Sequence, residues 1–305
     1  MLQVLPRTHR AHSLTGRIPL EALHKAFQAV KRNRGAAGLD QQSSKMFEAN
    51  VAEHLLALMR ALQSGPYQPI PLRRVSIPKG TGAGRPLGMP AVRCRVAQEV
   101  IRALRSPICA PTVHDSSHGC RRQRSGHTAM AQLVALHHHG YRVVVEADLQ
   151  GCFESIPPQR LLDLVAREMA DGNILRLITT FLRAGVMEEG EVRPTRKGTP
   201  QGGVISPRLA NLVLHHLAGH LEAQGDKCVR SADDCVVLCT TTRQAEQALQ
   251  AVTGCVEALG VARNPEKTHR TTFGQGVRFL GSQVTARTIR MGGTAEERCK
   301  TTSKA

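Results

Sequence analysis

The sequence predicts an α/β (α+β) fold in which helices pack behind a mainly antiparallel sheet. Three observations predict it. Valine-rich runs of strand length, such as Tyr141-Arg-Val-Val-Val-Glu-Ala-Asp148, alternate with longer stretches whose apolar residues recur every three or four positions. Two short apolar runs are joined by a tight acidic turn in Lys227-Cys-Val-Arg-Ser-Ala-Asp-Asp-Cys-Val-Val-Leu-Cys239, the pattern of a hairpin. Gly65-Pro66 and Pro157-Pro158 punctuate the chain, and no internal repeat or low-complexity block interrupts the alternation.

Residues 1–17 are basic and irregular and read as an arm. Leu20, Leu23, Phe27 and Val30 mark a first amphipathic helix, followed by the glycine-containing loop Asn33–Asp40. Phe47, Val51, Leu55, Met59 and Leu62 predict a second helix that Gly65-Pro66 stops. Residues 70–90 read as a hairpin with cationic residues at and near its tip. Val92, Val96, Val100 and Leu104 then define a helix. Ser116–Gly126 is polar, basic and loop-like, and a short helix runs on to about His137. After the strand ending at Asp148, helices carry Leu161, Leu162, Val165 and Met169, then Ile174, Leu177, Ile178 and Phe181. A short hairpin over 186–198 leads to a helix bearing Leu209, Leu212, Val213, Leu217 and Leu221. The acidic hairpin, a helix over about 243–259, a turn at Asn264–Thr268 and a last strand at Val277–Gly281 complete the pattern. Beyond Thr285 the chain is polar and is expected to fray.

A chain of 305 residues holds one large domain or two smaller ones, with ample length for a core. Only 3% of residues are aromatic and tryptophan is absent, so that core must rest on Leu, Val, Ile, Ala and Met. The 41 basic and 24 acidic side chains leave a formal charge of +17, an excess that repels itself until phosphates neutralise it. A basic solvated surface or an anionic membrane would also use such charge. Nucleic acid is favoured because the basic residues are spread through segments of differing structure instead of along one amphipathic helix.

The nine cysteines lie far apart and include no Cys-x-x-Cys pair, which argues against a zinc site or a disulfide framework. They read as small buried hydrophobes in a reducing cytosol. No apolar run approaches the roughly 20 residues that cross a bilayer, and the N-terminus lacks a signal-peptide core, so a cytoplasmic protein with no membrane partner is expected. His137-His138-His139 and His215-His216 would point in different directions on a helix and read as surface or partly buried side chains.

Asp233 and Asp234 fall at the hairpin turn and Asp148 at the end of a valine run. Carboxylates fixed together on a rigid hairpin repel one another unless a cation compensates them. An acidic turn is ordinary by itself. Three such groups at strand ends in so basic a chain point to divalent-metal chemistry on a nucleic acid.

Eight segments, in order, carry a resemblance: Asn33-Arg-Gly-Ala-Ala-Gly-Leu-Asp40, Ile77-Pro-Lys79, Arg85-Pro-Leu-Gly-Met-Pro90, Asp148-Leu-Gln-Gly-Cys-Phe-Glu-Ser-Ile156, Gly198-Thr-Pro-Gln-Gly-Gly-Val-Ile-Ser-Pro207, Ala232-Asp-Asp234, Asn264-Pro-Glu-Lys-Thr268 and Phe279-Leu-Gly281. Together they resemble the reverse transcriptase domain encoded by bacterial group II introns. The resemblance implies a right-hand polymerase, with an N-terminal basic arm and helix at 1–32, fingers over 33–140, a palm over 141–285 and a polar, disordered tail at 286–305. It implies an RNA-directed DNA polymerase that adds dNTPs to a primer on an RNA template, the partner being group II intron RNA. Mg²⁺ is the implied cofactor, held by Asp148, Asp233 and Asp234 with the backbone carbonyl of Leu149. Lys79 and Arg85 would clamp the incoming triphosphate, although solvated hairpin charges would read the same way. Phe153 would lie beneath the sugar, or else pack in the core. Gln201 and the glycines after it would approach the nucleotide.

The sequence also departs from that family. Ser231 stands where a tyrosine is usual, which would loosen primer positioning. His118, Cys120, Arg122 and Gln123 replace the usual Tyr, Phe, Pro and Gly, and Cys94 replaces a frequent aspartate. The family continues past Phe-Leu-Gly with a thumb and a maturase domain, whereas residues 282–305 here are polar. Weak processivity, or a partner chain supplying the thumb, is therefore expected. A catalytically weak or inactive, truncated intron protein acting as an RNA-binding protein is the alternative reading.

Overall fold

A computed structural model describes residues 18–64, 67–77, 84–109, 114–119, 121, 123–150, 155–168, 171–195, 198, 202–264 and 268–291. In chain order the elements are α1 (Leu20–Arg32), α2 (Ser44–Ala49), α3 (Val51–Ser64), β1 (Leu72–Ile77), β2 (Arg85–Met89), α4 (Val92–Cys109), α5 (Gly126–His138) and β3 (Val143–Gln150). There follow α6 (Pro158–Glu168), α7 (Gly172–Leu182), β4 (Val186–Glu188), β5 (Glu191–Arg193), α8 (Ser206–Ala223), β6 (Lys227–Ser231) and β7 (Asp234–Cys239). The last are α9 (Thr242–Ala258), β8 (Ala262–Arg263), β9 (His269–Thr272), β10 (Val277–Phe279), β11 (Ser282–Val284) and β12 (Ile289–Met291). The chain divides into two compact units, one built from residues 18–109 and 155–212, the other from 114–150 and 213–291.

In the first unit α1 buries Leu23, Ala26, Phe27 and Val30, the stripe expected from their spacing. Phe27 stacks on Phe47 with centroids 5.2 Å apart. The single helix expected over 47–62 is broken at Asn50 (φ −124°, ψ 41°), and Leu58 rather than Met59 turns to the core. Leu55 and Leu62 keep their expected burial, and Leu58 joins them on one stripe three residues after Leu55. β1 and β2 pair antiparallel, and β1 pairs parallel with β4, giving the order β2-β1-β4-β5. Gly202 (φ +108°) packs so closely on β2 that a Cβ there would strike the carbonyl of Gly88. That contact gives one glycine of the Gly198–Gly203 string a packing reason.

The second unit is organised on β3. Its sheet runs β6-β7-β3-β8, and β9 also pairs with β3, all antiparallel. Alternation along the strands sorts the side chains into two faces. Val144, Val229, Val236 and Leu238 are buried with Ala129 and Leu133 of α5 and with Phe273, Val277, Phe279 and Val284. The alternate residues Val145, Ala147, Cys235, Val237 and Cys239 are buried as well, and α9 packs on β3 and β7. Ser125 and Thr128 form a reciprocal capping box at the start of α5.

β10, β11 and β12 form a separate three-stranded antiparallel sheet. The stretch after Thr285, expected to fray, therefore adds a strand at 289–291 before the described residues end. Three residues are too few to show a period. Cys94, Cys228, Cys235, Cys239 and Cys255 are buried free thiols, as their composition suggested. Among the described residues no helix is long and apolar enough to cross a membrane.

Two outcomes follow from this packing. Leu133→Ala should lower unfolding stability by about 2–5 kcal/mol in urea titration, because it empties the centre of the α5 face. His215, on α8, accepts a hydrogen bond at Nδ1 from the His114 amide at 3.0 Å. Burial, helped by His216, His114 and Arg230, pushes its pKa down from 6.5 to about 4. The folded chain keeps this ring neutral where the unfolded chain is already protonated, so its contribution is lost as pH falls from 6.5 toward 4. His215→Gln should flatten that part of a stability-against-pH curve.

Candidate active site

Register decides what the acidic hairpin can do. In the β3–β7 pairing Val144 faces Leu238, Glu146 faces Val236 and Asp148 faces Asp234. Residues directly opposite share a face of the sheet. The stripe that is apolar at Val144 and Leu238 therefore ends in two carboxylates. β6 extends the row, because Ser231 pairs with Asp234. Ser231, Asp234 and Asp148 thus lie side by side across three strands.

Ala232 and Asp233 form the two-residue loop between β6 and β7. Ala232 takes φ +58°, a left-handed value that favours glycine and costs an alanine on the order of 1 kcal/mol. The loop places Asp233 next to the row but outside the register pair. Among the described residues no three His, Cys, Asp or Glu side chains converge into a ready metal cage. The fold brings Asp148 and Asp234 together and sets Asp233 one position away.

The backbone of Asp148 is held from behind. Its carbonyl accepts a hydrogen bond from the Asn264 amide at 2.8 Å, and the Thr268 hydroxyl lies 3.4 Å from its amide. This gives the Asn264–Thr268 motif a mechanical role: its two ends grip the strand where the first carboxylate projects. Leu149, the next residue, pairs with Arg263 of β8.

A cavity of about 280 Å³ opens beside the carboxylates, lined by Glu146, Asp148, Asp234, His269, Arg278 and Phe279 among others. Glu146 is buried, accepts a hydrogen bond from the Arg278 amide at 2.6 Å, and lies 3.6 Å from the His269 ring. The sequence reading missed these three residues. Glu146 was visible only as two positions before Asp148, a spacing that puts both on one strand face. Within the row itself the charged donors are the carboxylate oxygens of Asp148 and Asp234, which suit a hard divalent cation better than zinc, while the His269 ring lies beside Glu146 on the cavity wall.

The remaining candidates are divided. Arg85 opens β2, paired with Ile77. Lys79, Phe153 and Gln201 lie outside the described residues. Among the described residues no group of three metal-ligating side chains includes His137–His139 or His215–His216, and His137 stacks on Phe273 with centroids 4.1 Å apart.

The model of the family described as reverse transcriptase (RNA-dependent DNA polymerase) matches residues 77–284, a span that takes in the whole acidic row and the Asn264–Thr268 grip. The chain belongs to this family. Among curated proteins it is 37% identical over 195 residues to the group II intron-encoded protein LtrA of Lactococcus lactis subsp. cremoris, covering 63% of this chain and 32% of that protein. It is 36% identical over 207 residues to protein YkfC of Escherichia coli K12, covering 66% and 54%. The retron Mx162 reverse transcriptase of Myxococcus xanthus is 28% identical over 232 residues, 69% and 46% of the two chains. The chain thus spans between a third and about half of these relatives, one of which is named as a group II intron-encoded protein and another as a retron reverse transcriptase. Reverse transcriptases generally use divalent metals, RNA templates and nucleotides. The mixed fold with its mainly antiparallel sheets agrees with the family.

Glu146→Gln should cost about 1–2 kcal/mol of unfolding stability, because the hydrogen bond donated by the Arg278 backbone amide then meets a neutral acceptor. Denaturant titration checks this; no loss would mean that the carboxylate charge contributes nothing to the wall of the cavity.

Proposed function

We propose that this chain is an RNA-directed DNA polymerase of the group II intron type, extending a primer 3′ end with dNTPs on an RNA template. The observation that carries the reading is the in-register pair Asp148–Asp234 with Asp233 at the adjoining turn, in a chain of charge +17. Opposed like charges weaken a strand pair, so two aspartates facing each other are a cost that function must explain.

Asp148, Asp233 and Asp234, with the Leu149 carbonyl, are the oxygen ligands we assign to Mg²⁺. When bound, the cations lower the pKa of the primer hydroxyl and offset charge on the triphosphate and the departing pyrophosphate. The chain's own residues position these groups. Asn264 and Thr268 fix the strand at Asp148, and such rigidity matters because a shift of about 1 Å can cost roughly 10²-fold in rate. His269 and Arg278, on the cavity wall, would draw a phosphate backbone toward the carboxylates. Lys79 acts as a point charge and Arg85 as a planar fork on the triphosphate. Phe153 excludes a 2′-hydroxyl, and Gln201 approaches the nucleotide. In this reading residues 33–140 serve as fingers and 141–285 as palm, the RNA is intron RNA, and the site of action is the cytoplasm.

The test is primer extension on a primed RNA template with dNTPs and Mg²⁺. Incorporation should vanish with a chelator and fall by at least about 10²–10³-fold in Asp148→Ala and Asp233→Ala. Extension that survives Asp233→Ala would overturn the proposal. Tight, salt-sensitive RNA binding with no incorporation under any condition would replace it with an RNA-binding role.

A further inference from the structure

The largest fully buried side chain among the described residues is a charged one, Arg230, at 0% exposure, three positions before Asp233. Burying a guanidinium is costly unless its donors are used. Its Nη1 donates to the carbonyl of Ala232 at 3.0 Å and its Nη2 to Oγ of Ser117 at 2.8 Å. One cation therefore ties the carbonyl of the strained loop residue to a segment more than a hundred positions away in sequence.

That segment is the polar stretch expected to be a plain loop. Ser117 instead forms a parallel bridge with Arg230: the Arg230 amide donates to the Ser116 carbonyl, and the His118 amide donates to the Arg230 carbonyl, both at 2.8 Å. Gly119 then lies against the turn itself. A Cβ at Gly119 would come 2.5 Å from the Ala232 nitrogen, closer than real Cβ atoms approach backbone. The stretch is anchored on its far side too. His118 is buried and pairs with Thr128 at 2.8 Å and with Gln132, both on α5, while Arg121 donates to the carbonyls of His114 and Ser117.

We infer that Ser116–Gly119 is a strap that positions the Asp233–Asp234 turn, with Arg230, Ser117 and Gly119 as positioning residues for the polymerase site. Arg230, tied to the strap through Ser117, binds the Ala232 carbonyl, and Gly119 packs against the Ala232 nitrogen, so the left-handed loop residue is backed from behind. Ser231 supplies no ring on the front of the turn, and the strap places the carboxylates without one. The inference rests on the polymerase reading only for its kinetic consequence; the consequence for metal binding stands apart.

The variants are Ser117→Ala, which deletes one hydroxyl, and Gly119→Ala, which drives a methyl into the turn. Val252→Ala, in α9, is the comparison for general destabilisation. Each protein is assayed for primer extension, for affinity to primed template, and for Mn²⁺ binding by electron paramagnetic resonance without nucleic acid. Gly119→Ala should lower kcat by about 10²-fold and Ser117→Ala by about tenfold, both raising the half-saturating divalent concentration, with template affinity within about twofold. Mn²⁺ binding should weaken in both and stay unchanged in Val252→Ala. Should Gly119→Ala fail to fold, Ser117→Ala alone decides. Parental kcat and Mn²⁺ affinity in Ser117→Ala would overturn the strap while leaving the polymerase reading intact. A parent that extends no primer, yet binds Mn²⁺ more tightly than the strap variants, would overturn the polymerase reading and support the strap.

Discussion

The pairing of β3 with β7 is the constraint on which the acidic row depends. Asp148 and Asp234 contribute nothing favourable to that pairing, since like charges directly opposite each other oppose it. The apolar half of the same two strands supplies what the acidic half lacks. Val144, Val236 and Leu238 are buried on one face, each worth about 1.5–3 kcal/mol in transfer from water. A slip of β3 by one residue would turn Val144 and Asp148 to the other face, away from Val236, Leu238 and Asp234 of β7. The core thus specifies the register, and the register delivers the carboxylates.

The turn beyond the register has a second source of order. Two-residue hairpin loops with a left-handed first residue are usually built with glycine, and here the position is alanine. Its carbonyl is bound by a buried arginine and its amide is backed by Gly119. A buried guanidinium held in this way is strongly directional, because moving the loop would cost its Nη1 donor the Ala232 carbonyl in a low-dielectric interior. The β3 side is gripped similarly by Asn264 and Thr268. Both carboxylate-bearing strand ends are therefore fixed by backbone contacts from segments distant in sequence.

Much of this was legible beforehand. The stripes of α1 and α7 and the strand ending near Asp148 follow from local periodicity, and the folded chain keeps them; the acidic hairpin is kept too, with its turn one residue earlier than expected, at Ala232–Asp233, so that Asp234 opens β7. The readings that changed share one cause, a local pattern overridden by a contact. The helix across Asn50 breaks, and Leu58 in place of Met59 joins Leu55 and Leu62 in the core. Ser116–Gly119 looks like a solvated loop because its residues are polar and small, yet those properties let it lie along β6 and against Ala232. β8, β9 and β12 are too short to announce themselves.

By itself the sequence determined the residue types and their order: three aspartates, a strongly basic chain, alternating strand and helix periods, and a motif string that belongs to the reverse transcriptases. Those are properties of neighbours along the chain, where side-chain period and turn preference act. Only the tertiary structure decided that Asp148 faces Asp234 while Asp233 stands one step aside, that Glu146 and Arg278 wall the same cavity, and that Arg230 is buried. Each of these depends on which distant backbone groups meet across strands, and hydrogen-bond partners of that kind leave no period in the sequence to read.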